Sequence, residues 1–164
     1  MRRALVVMGF MLCTASFAAP TDIVKIPMPS ASDFSASLLP EKAGMVSWRT
    51  LAQVEMVQRG IRAVPKFSKD ILDLNDKDVQ VQGFVIPIEA GARSTRFLIS
   101  AVPADCSFCL PAGPDAIVEV IAKTPIKPAA GPIVLGGKFS VLTDDPTGVL
   151  YRLTDAQFIS MAGS

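Results

Sequence analysis

The cysteines are the residues of this sequence best suited to do chemistry. Cys13 lies in an apolar N-terminal run, whereas Cys106 and Cys109 form a Cys-x-x-Cys motif. This spacing allows the two sulfurs to close a disulfide or to bind one soft metal ion. We therefore expect the sulfur chemistry of the chain to concentrate in the segment 104–114.

Three uses of the motif remain open. A disulfide would staple an irregular loop, as is common in an oxidising compartment. In a metal site, two thiolates suffice for copper(I), whereas zinc needs further donors, for which Asp105 and Asp115 are candidates. A redox site would need the motif to open a helix that activates the attacking thiol, and Pro111, Gly113 and Pro114 disfavour such a helix.

The chain has no histidine. Ser-His-Asp and Cys-His catalysis, c-type haem attachment and histidine metal sites all require an imidazole, so these classes are excluded. The sequence predicts no catalytic residue and no cofactor other than zinc or copper(I).

Weaker candidates are found among the remaining charged residues. Asp144 and Asp145 could bind a hard cation, but Pro146 beside them favours a turn. Glu89 and Glu119 are isolated carboxylates, and we expect Arg152 to form an ion pair with one of them; the alternative is that Arg152 binds a ligand anion.

The N-terminus predicts export. Residues 1–18 combine Arg2 and Arg3 with a short apolar run and the small residues Ser16 and Ala18, which is typical of a cleaved signal peptide. The alternative is a lipoprotein signal with Cys13 as the lipidated residue, which Leu12 disfavours because a small residue is preferred there. Residues 19–44 are rich in Pro and Ser and predict a flexible tether. We therefore expect a soluble periplasmic or secreted protein with no transmembrane segment after cleavage.

The charge of the mature chain argues against nucleic-acid binding. Removing Arg2 and Arg3 leaves 14 of the 16 basic residues against 15 acidic ones, so the net charge is −1. Nucleic-acid binding draws most of its affinity from phosphate neutralisation, which this chain cannot supply.

The hydrophobic pattern of residues 45–164 predicts short strands and shorter helices. The first strand spans Asp78 to Ile88, with Val79, Val81 and Val85 facing the core. Further strands are expected at 95–102, 116–123, 133–143 and 149–153, with a bend or bulge at 136–137. Helical turns are expected after Ser47, where Trp48, Leu51, Val54 and Val57 would share a face, after Ser68, and from Thr154 onward, carrying Phe158, Ile159 and Met161.

These elements must position the cysteine loop, which falls between the second and third strands. Five short strands with glycine at the bends predict a mainly β protein, a small five-stranded OB-like barrel with short flanking helices. A short sandwich is the alternative.

Several blocks of the sequence resemble an uncharacterised, domain-of-unknown-function family of small exported bacterial proteins. The resemblance covers Val46 to Phe158 and is carried by residues 46–51, 83–89, 97–100, 106–111 and 113–114. It implies an OB-like barrel and, because some members are encoded beside envelope transporters for metals, a periplasmic accessory or metal-handling role. Some relatives have Cys-x-His, so Cys106 would match their cysteine and Cys109 would replace the imidazole.

Together these observations predict an exported accessory or binding protein of unknown ligand. Its partner would be an envelope protein or a transporter component, and its Cys-x-x-Cys loop would serve metal handling. The alternatives are a thiol-disulfide exchange protein or its partner, and a structural interaction module with a stapling disulfide.

Overall fold

The computed structural model describes residue 35, residues 38–105 and residues 112–162. Two short α-helices, one 3-10 helix and the strands follow one another along this part of the chain. In order they are α1 (Trp48–Leu51), β1 (Val54–Arg59), β2 (Arg62–Phe67), α2 (Lys69–Leu72), β3 (Asp78–Pro87), β4 (Ser94–Ser100), the 3-10 helix (Pro114–Ala116), β5 (Ile117–Ile126), β6 (Ile133–Val141) and β7 (Tyr151–Met161).

Five strands form a closed barrel in the order β3-β4-β5-β7-β6, with β6 returning to β3. Neighbouring strands are antiparallel except β5 and β7, which run parallel. The sequence-based prediction of a mainly β, five-stranded, OB-like barrel with short flanking helices is confirmed.

The barrel interior is filled by side chains that alternate along each strand. On β3, Val81 is fully buried, and Val79 and Val85 are half-buried and pack against the core, as the alternation predicts. The other strands contribute further buried residues, among them Phe97, Ile99, Val118, Val120, Leu135, Phe139 and Leu153.

Two serines cap the short helices, as predicted. The Ser47 hydroxyl accepts a hydrogen bond from the backbone of Arg49, and the Ser68 hydroxyl accepts one from Ile71. Trp48 is buried, and its indole N–H donates to the Gln82 carbonyl at 2.9 Å. The only tryptophan thus fixes α1 to β3.

The prediction that the first helix continues through Val54 and Val57 is wrong. Helix α1 ends at Leu51, and both valines lie on β1, which pairs with β2 from Val54↔Phe67 to Arg59↔Arg62. β-branched side chains favour strands, and Gly60 allows a two-residue turn. These two strands form a hairpin outside the barrel.

The prediction of a final helix that begins at Thr154 is also wrong. Strand β7 continues to Met161 and pairs with β6 along this length, with Phe158 opposite Leu135. The Thr154 hydroxyl donates to the Lys138 carbonyl instead of capping a helix. Asp155 has φ 53°, and the register shifts nearby, so a bulge interrupts the alternation that would have identified the strand.

The predicted bulge at Gly136-Gly137 is present. The register between β6 and β7 shifts between Gly136 and Lys138. A Cβ on Gly137 would lie 2.6 Å from the Thr154 carbonyl, so only glycine permits this close approach of the two strands.

Residues before α1 also pack on the barrel. Leu39 is buried in the core, and Gln82 donates a side-chain hydrogen bond to the Pro40 carbonyl at 2.7 Å. Met45 forms a parallel bridge with Gln80. These contacts lie within or next to the segment 19–44 that the composition predicts as a tether.

Candidate functional site

The predicted cysteine site falls in a part of the chain that the structure does not describe. Cys106 and Cys109 lie outside the described residues. The carboxylates proposed to assist them lie on either side: Asp105 is exposed after β4, and Asp115 is half-buried in the 3-10 helix. Within the described ranges, no three His, Cys, Asp or Glu side chains are grouped to hold a metal.

The described residues contain a different charged cluster, on the outer face of the barrel. Its centre is Glu119 on β5, whose side chain is only 2% exposed. In the register, Glu119 lies opposite Arg152 on the parallel strand β7 and opposite Leu98 on β4, two residues from Arg96. The strand pairing therefore brings two guanidinium groups to one buried carboxylate.

Both oxygens of the Glu119 carboxylate accept a hydrogen bond from an arginine. Arg96 donates to Oε1 of Glu119 at 2.8 Å, and Arg152 donates to Oε2 at 2.5 Å. Arg152 also donates to Asp145 at 2.8 Å. The expectation that Arg152 pairs with Glu89 or Glu119 is confirmed, and the partner is Glu119. Glu119 is therefore not the isolated carboxylate that the sequence indicated.

Asp145 connects this cluster to the segment between β6 and β7. Its Oδ1 accepts hydrogen bonds from the backbone and the hydroxyl of Thr147, which is the turn geometry expected for this sequence. The other carboxylate oxygen accepts from Arg152. Asp145 therefore fixes the segment 142–150 against the barrel wall.

Hydrogen bonding lowers the pKa of both carboxyl groups. Burial by itself would raise the pKa of Glu119, but hydrogen bonds from Arg152 and Arg96 outweigh it, and the pKa lies below its ordinary value. Hydrogen bonds from Thr147, followed by Arg152, lower the pKa of Asp145 to about 2. Both groups are anionic at neutral pH, which suits them to hold structure and not to transfer protons.

A groove opens beside this cluster, between the β1–β2 hairpin and the segment 142–150. Its volume is about 680 Å³. Apolar side chains line much of it, including Met56, Val57, Val64, Pro65, Leu142 and Val149. Charged residues lie around them, with Arg59, Arg62 and Lys66 on the hairpin and Asp144 and Asp145 on the facing segment.

Aromatic contacts hold the hairpin side of the groove. The Phe67 ring at the end of β2 lies 6.0 Å from the ring of Tyr151, which in turn stacks on Phe139 at 5.7 Å. Val54, opposite Phe67 in the hairpin, packs against the core as well. The base of the hairpin is thus fixed to the barrel, and its far end extends into solvent.

Sequence reasoning missed the hairpin, and with it the groove. A weak signal was present: two short runs that contain Val54, Val57 and Val64 flank Gly60-Ile61, a two-residue loop beginning with glycine. The helical spacing of Trp48, Leu51 and Val54 competed with that signal.

Within the described residues, no helix has the length and apolar character needed to cross a bilayer. No protein-family model matches the chain, and no curated protein matches it in sequence. Among solved structures, the crystal structure of a DUF3299 family protein from Pseudomonas aeruginosa PAO1 is similar. The two chains are 19% identical with a TM-score of 0.44, and the match covers 79% of this chain and 95% of the other.

Proposed function

We propose that this protein is an exported accessory protein that acts by binding, and that the groove beside the hairpin receives an extended peptide segment of its partner. The groove itself carries the proposal. Its volume of about 680 Å³ falls within the range of roughly 300–1,000 Å³ typical of ligand sites. Apolar lining with charges of both signs suits a peptide with mixed side chains.

The hairpin supports a peptide ligand over a compact small molecule. The strands β1 and β2 form a two-stranded sheet, so each has a free edge among the described strands. A peptide can add to such an edge through main-chain hydrogen bonds while its side chains enter the groove. Pro65 removes one donor from β2, which makes β1 the better edge.

The opposite wall of the groove is held in place before any ligand arrives. Asp145 lines the groove and is fixed by Thr147 and Arg152, and Arg152 is fixed by the buried Glu119. A wall that does not need ordering on binding reduces the entropic cost of association.

A peptide-display selection tests the groove. Peptides of about ten residues are selected against the wild-type protein, since an extended strand of this length spans the hairpin. Met56 lines the groove and is 55% exposed, so Met56→Glu should fold and weaken the selected peptides at least about tenfold. Leu72 is 50% exposed and does not line the groove, so Leu72→Glu is the matched control. Equal binding to Met56→Glu and wild type, or no enriched peptide, would contradict the proposal.

We also propose that Cys106 and Cys109 serve the accessory role by binding zinc or copper(I). Two thiolates and no histidine form a donor set that suits copper(I), and zinc would recruit carboxylates such as Asp105 or Asp115. The proposal predicts stoichiometric uptake of one of these ions by the reduced protein and none by Cys106→Ser with Cys109→Ser.

Intact mass of the native protein separates the uses of the motif. A bound metal mass supports metal handling, a loss of two hydrogens indicates the stapling disulfide, and free thiols that bind neither ion contradict metal handling. If the motif exchanges disulfides, Cys109→Ser should trap a mixed disulfide through Cys106, because the resolving thiol is missing. The same spectrum tests export: a mature terminus at Ala19 or Pro20 supports signal cleavage, and a retained leader contradicts it.

A further inference from the structure

The far end of the hairpin is exposed to solvent over its whole length. All of residues 58–63 are exposed, and Ile61 is 99% exposed. Gly60 has φ 63° at the first central position of the two-residue turn, where a type II′ turn takes glycine. The next position usually holds a small polar residue, but here it holds an isoleucine.

Two arginines lie directly opposite each other at this end. Arg59 pairs with Arg62 in the hairpin register, so both side chains lie on the same face of the ribbon. Like charges in such a position repel. Among the described residues, no carboxylate lies within ion-pair distance of either arginine.

The next charged pair on the same face is balanced. Glu55 lies opposite Lys66, and their charged atoms are 3.7 Å apart. The ribbon therefore pairs its charges near the barrel and leaves the two arginines at its tip without an ion-pair partner in the described part of the chain, although Asp144 and Asp145 line the same groove on the facing segment. An apolar side chain stands between the two arginines, so the tip is suited to a surface that is anionic outside and apolar just beneath.

We propose that the tip, residues Arg59, Gly60, Ile61 and Arg62, docks on the anionic phospholipid headgroups of a membrane surface. The guanidinium groups bind phosphate oxygens, and Ile61 enters the boundary between headgroups and acyl chains. This function goes beyond peptide binding in the groove: Arg59 and Arg62 also border the groove, but the docking surface is the exposed turn that they flank, and Ile61 does not line the groove.

The shape of the tip favours a membrane over an acidic protein. Stable protein interfaces bury roughly 1,200–2,000 Å² with good complementarity, which a convex turn of four residues cannot supply. A bilayer surface accepts a single inserted side chain, and each nearby basic residue adds attraction to anionic lipid.

Vesicle co-sedimentation tests the proposal. The complete chain is expressed and purified in the form that the cell retains, and its partition is measured on phosphatidylcholine vesicles with and without about one-third phosphatidylglycerol. Arg59→Gln with Arg62→Gln should lower the partition on anionic vesicles at least about tenfold and leave that on neutral vesicles unchanged. Ile61→Asn, which suits the turn, should lower it about threefold.

A matched control removes the same charge elsewhere. Arg93 precedes β4 and Lys127 follows β5, so both are exposed side by side at one end of this antiparallel pair. Arg93→Gln with Lys127→Gln should change the partition less than about twofold. Circular dichroism confirms that each variant keeps its fold. Equal losses in the tip and control variants would show general electrostatics and overturn the assignment. Binding to polyglutamate without binding to anionic vesicles would overturn it in favour of an acidic protein.

Discussion

The phenolic oxygen of Tyr151 donates a hydrogen bond of 2.6 Å to the backbone carbonyl of Leu51, 100 residues earlier in the chain. The contact joins the start of β7 to the end of α1, and the same ring packs against Phe67 at the base of the hairpin. Burial raises the pKa of Tyr151 above its ordinary value, so the hydroxyl remains a donor at physiological pH. One side chain thus links barrel, helix and hairpin.

Tyr151→Phe should destabilise the protein by about 1–2 kcal/mol, because it leaves the buried Leu51 carbonyl without its donor. Urea unfolding followed by the fluorescence of Trp48 measures the loss. The matched control is Thr154→Val, which removes an exposed hydroxyl bonded to the Lys138 carbonyl and should cost less than about 0.5 kcal/mol. Equal costs for the two variants would show that the Tyr151 bond contributes no special stability.

Glu119→Gln should cost about 2–3 kcal/mol, because two guanidinium groups lose the buried charge that they share. Glu55→Gln breaks an exposed pair with Lys66 and should cost less than about 0.5 kcal/mol. Chemical unfolding of both variants gives the comparison. A Glu119→Gln variant as stable as wild type would mean that the cluster does not hold the barrel wall.

Acid should remove stability between about pH 4.5 and 2. The ordinary pKa values of Glu119 and Asp145 are 4.5 and 3.8, and the folded protein lowers both, that of Asp145 to about 2. Above this range both carboxylates are ionised in folded and unfolded chains. As the pH falls, the unfolded chain binds protons first, so folding becomes less favourable.

A pH series of urea unfolding experiments measures this loss. Asp145→Asn should flatten the decline below pH 4, whereas Asp144→Asn, which changes the exposed neighbouring carboxylate, should leave it as in wild type. A wild-type free energy of unfolding that stays constant down to pH 2 would contradict the assignment.

Val81→Asp should cost several kcal/mol or abolish cooperative unfolding, because it buries an unpaired charge in the barrel. Gln80→Asp places the same residue one position earlier on β3, on the exposed face, and should retain most of the stability. Thermal unfolding distinguishes the two. An unchanged melting temperature for Val81→Asp would contradict the placement of Val81 in the core.

The barrel could be predicted because its strands keep a simple period. Along β3, alternation identified Val81 as a core position, and glycines marked the bulge at 136–137. The C-terminal half of β7 could not be read in this way, because the bulge at Asp155 shifts the alternation and Thr154 with Gln157 imitates a capping box. Tertiary pairing with β6 decides the conformation there.

The charged cluster around Glu119 could not be predicted, because its membership depends on how β4, β5 and β7 are aligned, and the sequence alone does not show that alignment. Arg152 was expected to pair with Glu89 or Glu119, and only the parallel pairing of β5 with β7 selects Glu119. The role of Arg96 required the alignment of β4 with β5. The groove could be predicted only together with the hairpin that forms one of its walls. The hairpin was missed because the apolar residues from Trp48 to Val57 also fit a helical spacing.

The position of β7 has a consequence for the order in which the chain acquires its structure. This strand lies between β5 and β6, yet it is the last of the described strands to be synthesised. Until it emerges, the earlier strands can form only an open sheet in the order β6-β3-β4-β5, with unpaired edges at both ends. Barrel closure therefore waits for contacts between distant parts of the sequence, which form slowly. A nascent chain that ends before Tyr151 therefore has no closed barrel, and the two open edges of its sheet stay unpaired for as long as this delay lasts.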